Sequence, residues 1–393
     1  MERCDVLIVG GGPAGSSCAW RLAGSGLDVL VLDRKGFPRD KPCAGWVTPP
    51  LVEELKLDLE EYGRGRVLEP ITGFTVSLMG GPERTTDHGR PISYAIRRCE
   101  FDDYLLRRSG ARLRLGEPVK SLERVGGEWL VNGEIQTRLL VGAGGHFCPV
   151  ARALGGKTGG RRGEVTSPVQ PVVAAQEIEV ELTADQLRAC PIKPGVPNLA
   201  FCTDLKGYGW FYRKGNYLNV GLGREDDQNL SDHVSAYVAL LKEHGRIPKD
   251  LATKFSGHAY LLYTHSVRPL IGDGVLLVGD AAGLAYSPSG EGIRPAVESA
   301  LMAADAIAAA GGDFRRDRLG PYAARLTARF GQRTARSVGD LIPAGLQRFL
   351  ARNLMTWGWF ARHVVVDRWF LRAYEPALDL DPPKKSPEHS HHL

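Results

Sequence analysis

The sequence predicts an α/β fold in which a doubly wound parallel-sheet domain is interleaved with an antiparallel sheet and followed by a helical carboxyl terminus. Three observations lead to this prediction. A buried strand, a glycine-rich loop and a helix follow one another within the first 23 residues. A second strand and glycine-rich loop precede a long alanine-rich helix at 274–307. Short alternating runs between these blocks, such as YLNVGLG, are typical of half-buried antiparallel strands.

Composition narrows the class of protein. The chain has 393 residues, 43% of them apolar and 24% charged, with a formal net charge of +5. These values exclude a disordered, collagenous or coiled-coil protein, and the charge is too small to predict a nucleic-acid partner. The seven cysteines form no C-x-x-C pair, so we expect no metal site, free thiols and a cytoplasmic location. We also expect neither a signal peptide nor a membrane-spanning segment.

The amino-terminal block has the order of elements that binds a dinucleotide. They are a strand at Asp5–Gly10, a G-x-G-x-x-G loop with Gly10, Gly12 and Gly15, a helix at Ser16–Ala23, a strand at Leu27–Leu32 and the acid Asp33. In such a Rossmann-like unit Gly12 lets the backbone approach a pyrophosphate at the helix N-terminus. Asp33 is placed to accept both ribose hydroxyls. This block alone does not separate NAD from FAD.

The segment 274–307 supplies the second block. Its strand, Val275–Val278, delivers Asp280 to the edge of the sheet where ligands bind in doubly wound folds. The following helix begins near Gly292 and is preceded by Gly290. Its N-terminal N–H groups and dipole suit the negative charge of a reduced flavin, and Asp280 suits a ribityl chain.

Two further segments, RCEFDDYL at Arg98–Leu105 and LLVGAGGHFCPVARAL at Leu139–Leu154, complete a resemblance. Together the four blocks resemble the flavoprotein superfamily of aromatic hydroxylases, flavin halogenases and geranylgeranyl reductases. The resemblance implies FAD as the cofactor, a p-hydroxybenzoate-hydroxylase-like fold and a cofactor contact at Arg98. The sequence departs from the family at Gly144, Cys148 and Ala151, which replace an acid, a serine and an arginine.

Two motifs indicate the branch of this superfamily. The segment KPCAG at 41–45 resembles the K-x-C-G-G segment of geranylgeranyl reductases, which implies that Cys43 lies near the flavin and is a tentative catalytic residue. The segment GYGWF at 207–211 resembles the strand whose aromatic pair, here Tyr208 and Trp210, walls the substrate pocket in that family. Each motif also has a structural alternative, an inert buried thiol and a strand with core aromatic residues.

These assignments define predicted sites and domains. The resemblance completes the predicted cofactor-binding set with Pro13, Ala14, Arg34, Lys41, Ala44, Gly279 and Ile293. The predicted domains are a discontinuous FAD-binding domain (1–60, 95–160 and 265–312), an antiparallel-sheet substrate domain (61–94 and 161–264), an arginine-rich helical region (313–380) and a disordered tail (381–393).

The arginine-rich region carries the positive charge of the chain. Residues 313–373 contain 12 arginines, no lysine or glutamate and four aspartates. A stripe at helical spacing contains Leu350, Leu354, Trp357, Ala361 and Val364. Three interpretations remain open: a surface helix packed on the body, a peripheral membrane contact, and a site for an anionic substrate or carrier.

The predicted activity is reduction of a C=C bond in an apolar, isoprenoid-like or polyketide-like substrate by reduced FAD. NAD(P)H is the expected transient reductant, because no second dinucleotide unit is present. The alternatives are an FAD-dependent monooxygenase acting on an aromatic or polyketide substrate, a flavin halogenase, and a non-catalytic flavin-binding protein. The sequence leaves the substrate, the proton donor and the oligomeric state open.

Overall fold

The computed structural model describes residues 1–155, 172–226, 229–251, 254–287, 289–333 and 344–380. The predicted disordered tail and Pro288 lie outside these ranges. The strands of the first sheet are β1 (Glu2–Val9), β2 (Val29–Asp33), β8 (Arg112–Leu115), β9 (Leu122–Val125), β10 (Glu128–Val131), β11 (Ile135–Gly142), β17 (Ile271–Gly272) and β18 (Val275–Leu277). Those of the second are β5 (Thr75–Leu78), β6 (Arg84–Thr85), β12 (Val172–Glu181), β13 (Asn198–Phe201), β14 (Gly207–Lys214), β15 (Tyr217–Arg224) and β16 (Ser256–Leu261).

A small third sheet contains β3 (Trp46–Val47), β4 (Leu68–Ile71) and β7 (Ser93–Ile96). The helices are α1 (Pro13–Leu22), α2 (Pro49–Glu54), α3 (Leu59–Gly63), α4 (Arg98–Arg108), α5 (Pro149–Leu154), α6 (Ala184–Ala189), α7 (Leu230–Glu243), α8 (Ile293–Ala309), α9 (Arg316–Phe330), α10 (Ala344–Leu354) and α11 (Gly358–Phe360). A π-helical segment, Ala361–Phe370, follows α11 directly.

The first sheet is the doubly wound sheet that the sequence predicts. Its order is β17-β18-β11-β1-β2-β8, and the strands from β18 to β8 are parallel. The four residues Val6–Val9 of β1 are buried between two parallel neighbours, which explains their continuous apolar run. Helix α1 begins at Pro13 rather than at the predicted Ser16, because proline fits the first position of a helix, where no N–H bond is needed.

The second sheet confirms the predicted antiparallel architecture with one difference. Its order is β16-β12-β15-β14-β13-β5-β6, and the pairing of β13 with β5 is parallel, with Asn198 opposite Thr75. These two strands are joined through more than a hundred residues of intervening chain, so no hairpin turn requires them to run in opposite directions. Helix α7 packs on one face of this sheet, and the carboxyl-terminal segment packs on the other.

The carboxyl-terminal segment differs from the predicted apolar stripe. Leu350 is 37% exposed and Trp357 is 56% exposed, whereas Val365, Val366 and Phe370 are buried against the second sheet. Helix α10 ends at Leu354, and the chain then turns before the π-helical segment, in which residues five apart are hydrogen-bonded. Because of the break and the longer repeat, a single 3.6-residue spacing does not run through this stretch, although Ala361 of the predicted stripe is buried in the core.

Candidate active site

The loop between β1 and α1 contains three glycines with different surroundings. A Cβ atom at Gly10 would lie 2.4 Å from the Ala143 carbonyl oxygen, and one at Gly15 would lie 1.8 Å from the Gly10 oxygen. A Cβ at Gly12 would meet only the Arg39 guanidinium, at 3.3 Å. Gly10 and Gly15 are therefore required by backbone packing, whereas Gly12 leaves an open cradle at the helix N-terminus. Such a cradle fits a pyrophosphate.

Asp33 lies at the carboxyl end of β2, directly beside this loop. Its carboxylate accepts the Gly11 N–H at 2.7 Å and the Lys35 N–H at 2.8 Å. Each oxygen retains a free lone pair for a ribose hydroxyl, so the geometry is compatible with the predicted role. The neighbouring predicted residue, Arg34, is exposed at the end of the same strand.

The second loop brings Asp280 to the N-terminus of α8. A Cβ at Gly292, the residue that caps this helix, would lie 3.3 Å from the Asp280 Oδ1. Burial raises the pKa of Asp280, while the positive charges of Lys41 and Arg98 oppose that shift. Burial in turn lowers the pKa of Lys41. No side chain caps the N–H groups at the start of α1, so this helix end is open to a ligand. At the start of α8 the Glu291 carboxylate accepts the Arg294 N–H at 2.7 Å.

Arg98 is held at the centre of the site by a buried ion pair. Its guanidinium donates to both oxygens of Asp102, at 2.8 and 2.9 Å, and the Asp102 side chain is completely buried. Arg39 approaches the same carboxylate at 3.3 Å. Arg98 also lies close enough to the Cys43 thiol for its charge to oppose the rise that burial causes in the pKa of that thiol, which connects the two predicted motifs. The second arginine, Arg39, faces both Gly12 and Asp102 and was not among the predicted site residues.

A cavity of about 520 Å³, counted with its open mouth, lies where the predicted motifs meet. Its lining unites three sequence-distant predicted groups: Cys43 and Ala44, Tyr208 and Trp210, and Gly290, Gly292 and Ile293. Its remaining lining residues are Gly45, Trp46, Ala175, His258, Tyr260, Ser289, Glu291 and Phe370. The second predicted cofactor loop and the predicted substrate wall therefore border one space, whereas Gly10, Gly12, Gly15, Asp33, Arg98 and Asp280 are not among its lining residues. Pro13, Ala14 and Gly279 lie away from it, at the starts of α1 and the 279–281 turn.

The aromatic wall is rigid because its polar atoms are paired. The Tyr208 hydroxyl donates to the Ser289 carbonyl at 2.5 Å, next to Gly290. The Trp210 Nε1 donates to Asn219 at 2.7 Å. Tyr208 and Trp210 lie with ring centroids 5.9 Å apart, and Tyr208 meets Phe370 edge-on at 5.1 Å. With their polar ends bonded elsewhere, these rings present apolar surface to the cavity.

Cys43 is a cavity residue with a protonated thiol. Burial raises the pKa of this thiol, while the positive charge of Arg98 opposes the shift. The backbone N–H of Cys43 donates to Glu177, whose other carboxylate oxygen is buried and has no hydrogen-bond partner among the described residues. Cys43 is thus a proton-bearing group facing the cavity, and Glu177 fixes the segment that carries it.

Several residues at this site escaped the sequence prediction. Glu177 and Phe370 belong to no motif, and Phe370 comes from the far carboxyl terminus. His258 lines the cavity with a buried Nδ1 that has no partner among the described residues, and burial lowers the pKa of its imidazole to about 3. The signal that could have drawn attention to Glu177 is its alternation with the apolar Val173 and Ala175, which places a carboxylate on the same, buried face of β12.

The raised pKa of Glu177 predicts a pH-dependent stability. Burial raises the pKa from 4.5 to about 7, with the Lys214 charge opposing. The folded protein therefore binds this proton more tightly than the unfolded chain does, and the free energy of unfolding decreases as the pH rises from 4.5 to 7. In urea titrations at several pH values, the Glu177→Gln variant should lack this decrease in the free energy of unfolding, which amounts to at most about 3 kcal/mol. The exposed substitution Glu123→Gln should not, and equal pH profiles for Glu177→Gln and the unmodified protein would refute the prediction.

Comparisons with known proteins agree with this geometry. A family profile described as FAD-dependent oxidoreductase matches residues 5–71. The menaquinone reductase of Mycobacterium tuberculosis is 31% identical over 328 residues, which cover 78% of this chain and 77% of that protein. The geranylgeranyl diphosphate reductase of Rhodobacter capsulatus is 28% identical over 333 residues, covering 78% of this chain and 75% of that protein.

Solved structures of other flavoproteins share the fold of this chain. A geranylgeranyl bacteriochlorophyll reductase-like protein from Thermoplasma acidophilum superposes with a TM-score of 0.70 at 20% identity, covering 90% of this chain and 88% of its own. A variant of a flavin-dependent brominase superposes with a TM-score of 0.64 at 20% identity, covering 94% of this chain and 93% of its own. At these identities the structures establish the fold alone.

The open glycine cradle at the uncapped N-terminus of α1 and the matching profile define the protein as an FAD-dependent oxidoreductase. Within that class, the family is shown by the menaquinone reductase, which is 31% identical to this chain and is matched over 77% of its own length. The chain belongs to the geranylgeranyl reductase family of flavoproteins.

Proposed function

We propose that this protein reduces a C=C bond of an apolar, isoprenoid-like or polyketide-like substrate, with NAD(P)H as the transient reductant of FAD. The observation that carries the proposal is the cavity, where the aromatic wall of Tyr208 and Trp210 faces the N-terminus of α8 across the Cys43 segment. The names of the similar proteins, menaquinone reductase and geranylgeranyl diphosphate reductase, support the reaction class. Bound FAD supplies hydride chemistry that side chains lack.

The residues of the chain have distinct proposed roles. Gly12, Asp33, Arg98 and Asp280 hold the cofactor, and the N-terminus of α8 stabilises negative charge on it. Tyr208 and Trp210 orient the apolar substrate and exclude water from it. The Cys43 Sγ holds a proton at the cavity wall, where a saturated product requires one. The pairing of Arg98 with Asp102 fixes the guanidinium next to that thiol.

The lining of the cavity also indicates where a polar group attached to the substrate would lie. Neither lysine nor arginine is among the described lining residues, so a diphosphate or a carrier attached to the substrate would remain outside the cavity. An apolar substrate of this kind would be dissolved in lipid, and we propose that the protein works at a membrane surface. Among the described residues, no helix is long and apolar enough to cross a membrane.

The alternative proposal is an FAD-dependent monooxygenase, and the fold shared with the brominase is the observation that keeps it open. Halogenation and non-catalytic flavin binding are weaker alternatives, because the sequence lacks the W-x-W-x-I-P stretch of halogenases and because relatives across most of the chain are named reductases. The same scaffold serves several flavin chemistries, so product analysis is the decisive measurement.

Anaerobic incubation of the holoenzyme with NADH or NADPH and a polyprenyl substrate should yield a product that has gained two hydrogen atoms. Mass spectrometry of the extracted lipid gives the result directly. Formation of a product only in air, with one added oxygen atom, would refute the reductase proposal in favour of oxygenation. Trp210→Ala should lower kcat/KM for the alkene more than tenfold without changing FAD content, whereas Trp129→Ala, on the first sheet, should change neither.

A further inference from the structure

The outer surface of the carboxyl-terminal region carries an unusual cluster of exposed apolar side chains. We call it the α10–α11 face, and its members are Leu346, Phe349, Leu350, Trp357 and Trp359. Each is between 37% and 64% exposed, and together they make up five of the ten large exposed hydrophobic side chains in the described part of the chain. Scattered exposed apolar residues are ordinary, but a contiguous group marks an interaction surface.

The tryptophan pair of this face is held outward by the packing on either side of it. Met355 and Ala361 are buried in the core on the second sheet and Phe360 packs against that core, whereas Trp357 and Trp359 are exposed. The Trp357 and Trp359 rings lie 5.2 Å apart, and the Thr356 carbonyl accepts the Arg84 Nε at 2.5 Å. The two rings are therefore carried by an anchored segment and are exposed to solvent.

The arginines on α10 have no ion-pair partner in the part of the chain that the structure describes. Arg348 and Arg352 are exposed on α10 and form no ion pair with any residue that the structure describes. The arginines of α9 behave differently, since Arg325 pairs with Asp305 and Arg329 with Glu298. Residues 344–360 contain no acidic side chain. Apolar and tryptophan side chains on one side of a helix, with arginines on its polar side, fit an anionic lipid surface.

The same segment leads into the cavity. The π-helical segment follows α11 without a break and ends at Phe370, which lines the cavity and packs on Tyr208. The α10–α11 face and the substrate wall thus belong to one continuous piece of chain.

We propose that the α10–α11 face binds the interface of an anionic bilayer and that this contact presents the cavity to a lipid-dissolved substrate. The second clause rests on the proposed reductase function, whereas the first does not. Trp357, Trp359 and Phe349 enter the interfacial layer, and Arg348 and Arg352 contact anionic headgroups. A second copy of the chain is the competing occupant of this face, and it predicts a different result.

Vesicle flotation with the full-length holoenzyme tests the contact. The protein should float with phosphatidylcholine vesicles containing phosphatidylglycerol and remain largely unbound with phosphatidylcholine alone. Phe349→Ser/Trp357→Ser should weaken binding to the anionic vesicles at least tenfold, and Arg348→Glu/Arg352→Glu should do so by about thirtyfold or more, since each arginine contributes roughly a factor of five. The matched controls are Val125→Ser, an exposed apolar residue on β9, and Lys193→Glu/Lys249→Glu, which makes the same change in charge.

Two outcomes would overturn the proposal. One is that the unmodified protein fails to float with anionic vesicles, or that the α10–α11 variants float as the controls do. The other is that light scattering shows a dimer that Phe349→Ser/Trp357→Ser converts to monomer, which would assign the face to a second copy. FAD content and reduction of a detergent-dissolved substrate should be unchanged in these variants. Loss of vesicle binding with retained activity supports the contact, whereas absence of activity in every form would count against the reductase function alone.

Discussion

Gly12→Ala is expected to yield a folded protein that binds FAD more than tenfold more weakly. The methyl group would occupy the open cradle at the N-terminus of α1, where only the flexible Arg39 guanidinium lies within 4 Å of the added atom. The apoprotein therefore tolerates the substitution, but a pyrophosphate could no longer approach the backbone N–H groups. FAD content measured by absorbance, together with the thermal midpoint of the apoprotein, separates the two effects.

Gly15→Ala is the matched comparison. It adds the same methyl group three residues later, where its Cβ would lie 1.8 Å from the Gly10 carbonyl oxygen. Backbone atoms cannot yield in the way that a side-chain end does, so this variant should fail to accumulate as folded protein. If Gly12→Ala retained full FAD affinity, or if it unfolded as Gly15→Ala does, Gly12 would have no role as the cofactor cradle.

Asp102→Ala is expected to lower the free energy of unfolding by about 3–5 kcal/mol. The Arg98 side chain is only 9% exposed, and its Nε and Nη2 both donate to the Asp102 carboxylate. The substitution leaves this buried guanidinium without that carboxylate. It also removes a partner of Arg39. Burying an uncompensated charge is more costly than the loss of the contact itself. Urea denaturation of the holoenzyme measures the change.

The neighbouring residue provides the control for this prediction. Asp103 forms the same i, i+4 pair with Arg107 on the same helix, but the Arg107 side chain is 61% exposed. Solvent screens such a pair, so Asp103→Ala should lower the free energy of unfolding far less than Asp102→Ala does. If the two variants lost similar amounts of unfolding free energy, burial of the ion pair between Arg98 and Asp102 would not explain the cost of Asp102→Ala.

Much of the cofactor half of the fold was predictable because its requirements are local. A buried parallel strand needs a continuous apolar run, and a loop that packs backbone on backbone needs glycine at Gly10 and Gly15. Strand β14, with Tyr208 and Trp210, was predictable for the same reason, since alternating large residues belong to a sheet face. The individual roles of these residues remain predictions, and the predicted domain boundaries do as well.

Other features depend on contacts that no local pattern contains. The parallel pairing of β5 with β13 joins strands separated by an inserted segment, and nothing within either strand sets its direction. The apolar stripe was only partly right, since Ala361 is buried whereas Leu350 and Trp357 are exposed. Helix α10 ends at Leu354, so a single helical spacing does not continue into the π-helical segment. Glu177 and Arg39 carry no motif, and only the fold places them next to Cys43 and Gly12.

The sequence by itself determined the α/β class, the two glycine loops and the membership in a flavoprotein superfamily, because chain segments a few residues long suffice for each of them. The tertiary structure alone decided that the Cys43 segment, the aromatic strand and the N-terminus of α8 enclose one cavity, and that Phe370 closes its wall. It also decided that arginines of α9 are paired within the body, whereas those of α10 have no ion-pair partner among the described residues. Both depend on side chains far apart in sequence, whose proximity is set by the packing of whole sheets and helices.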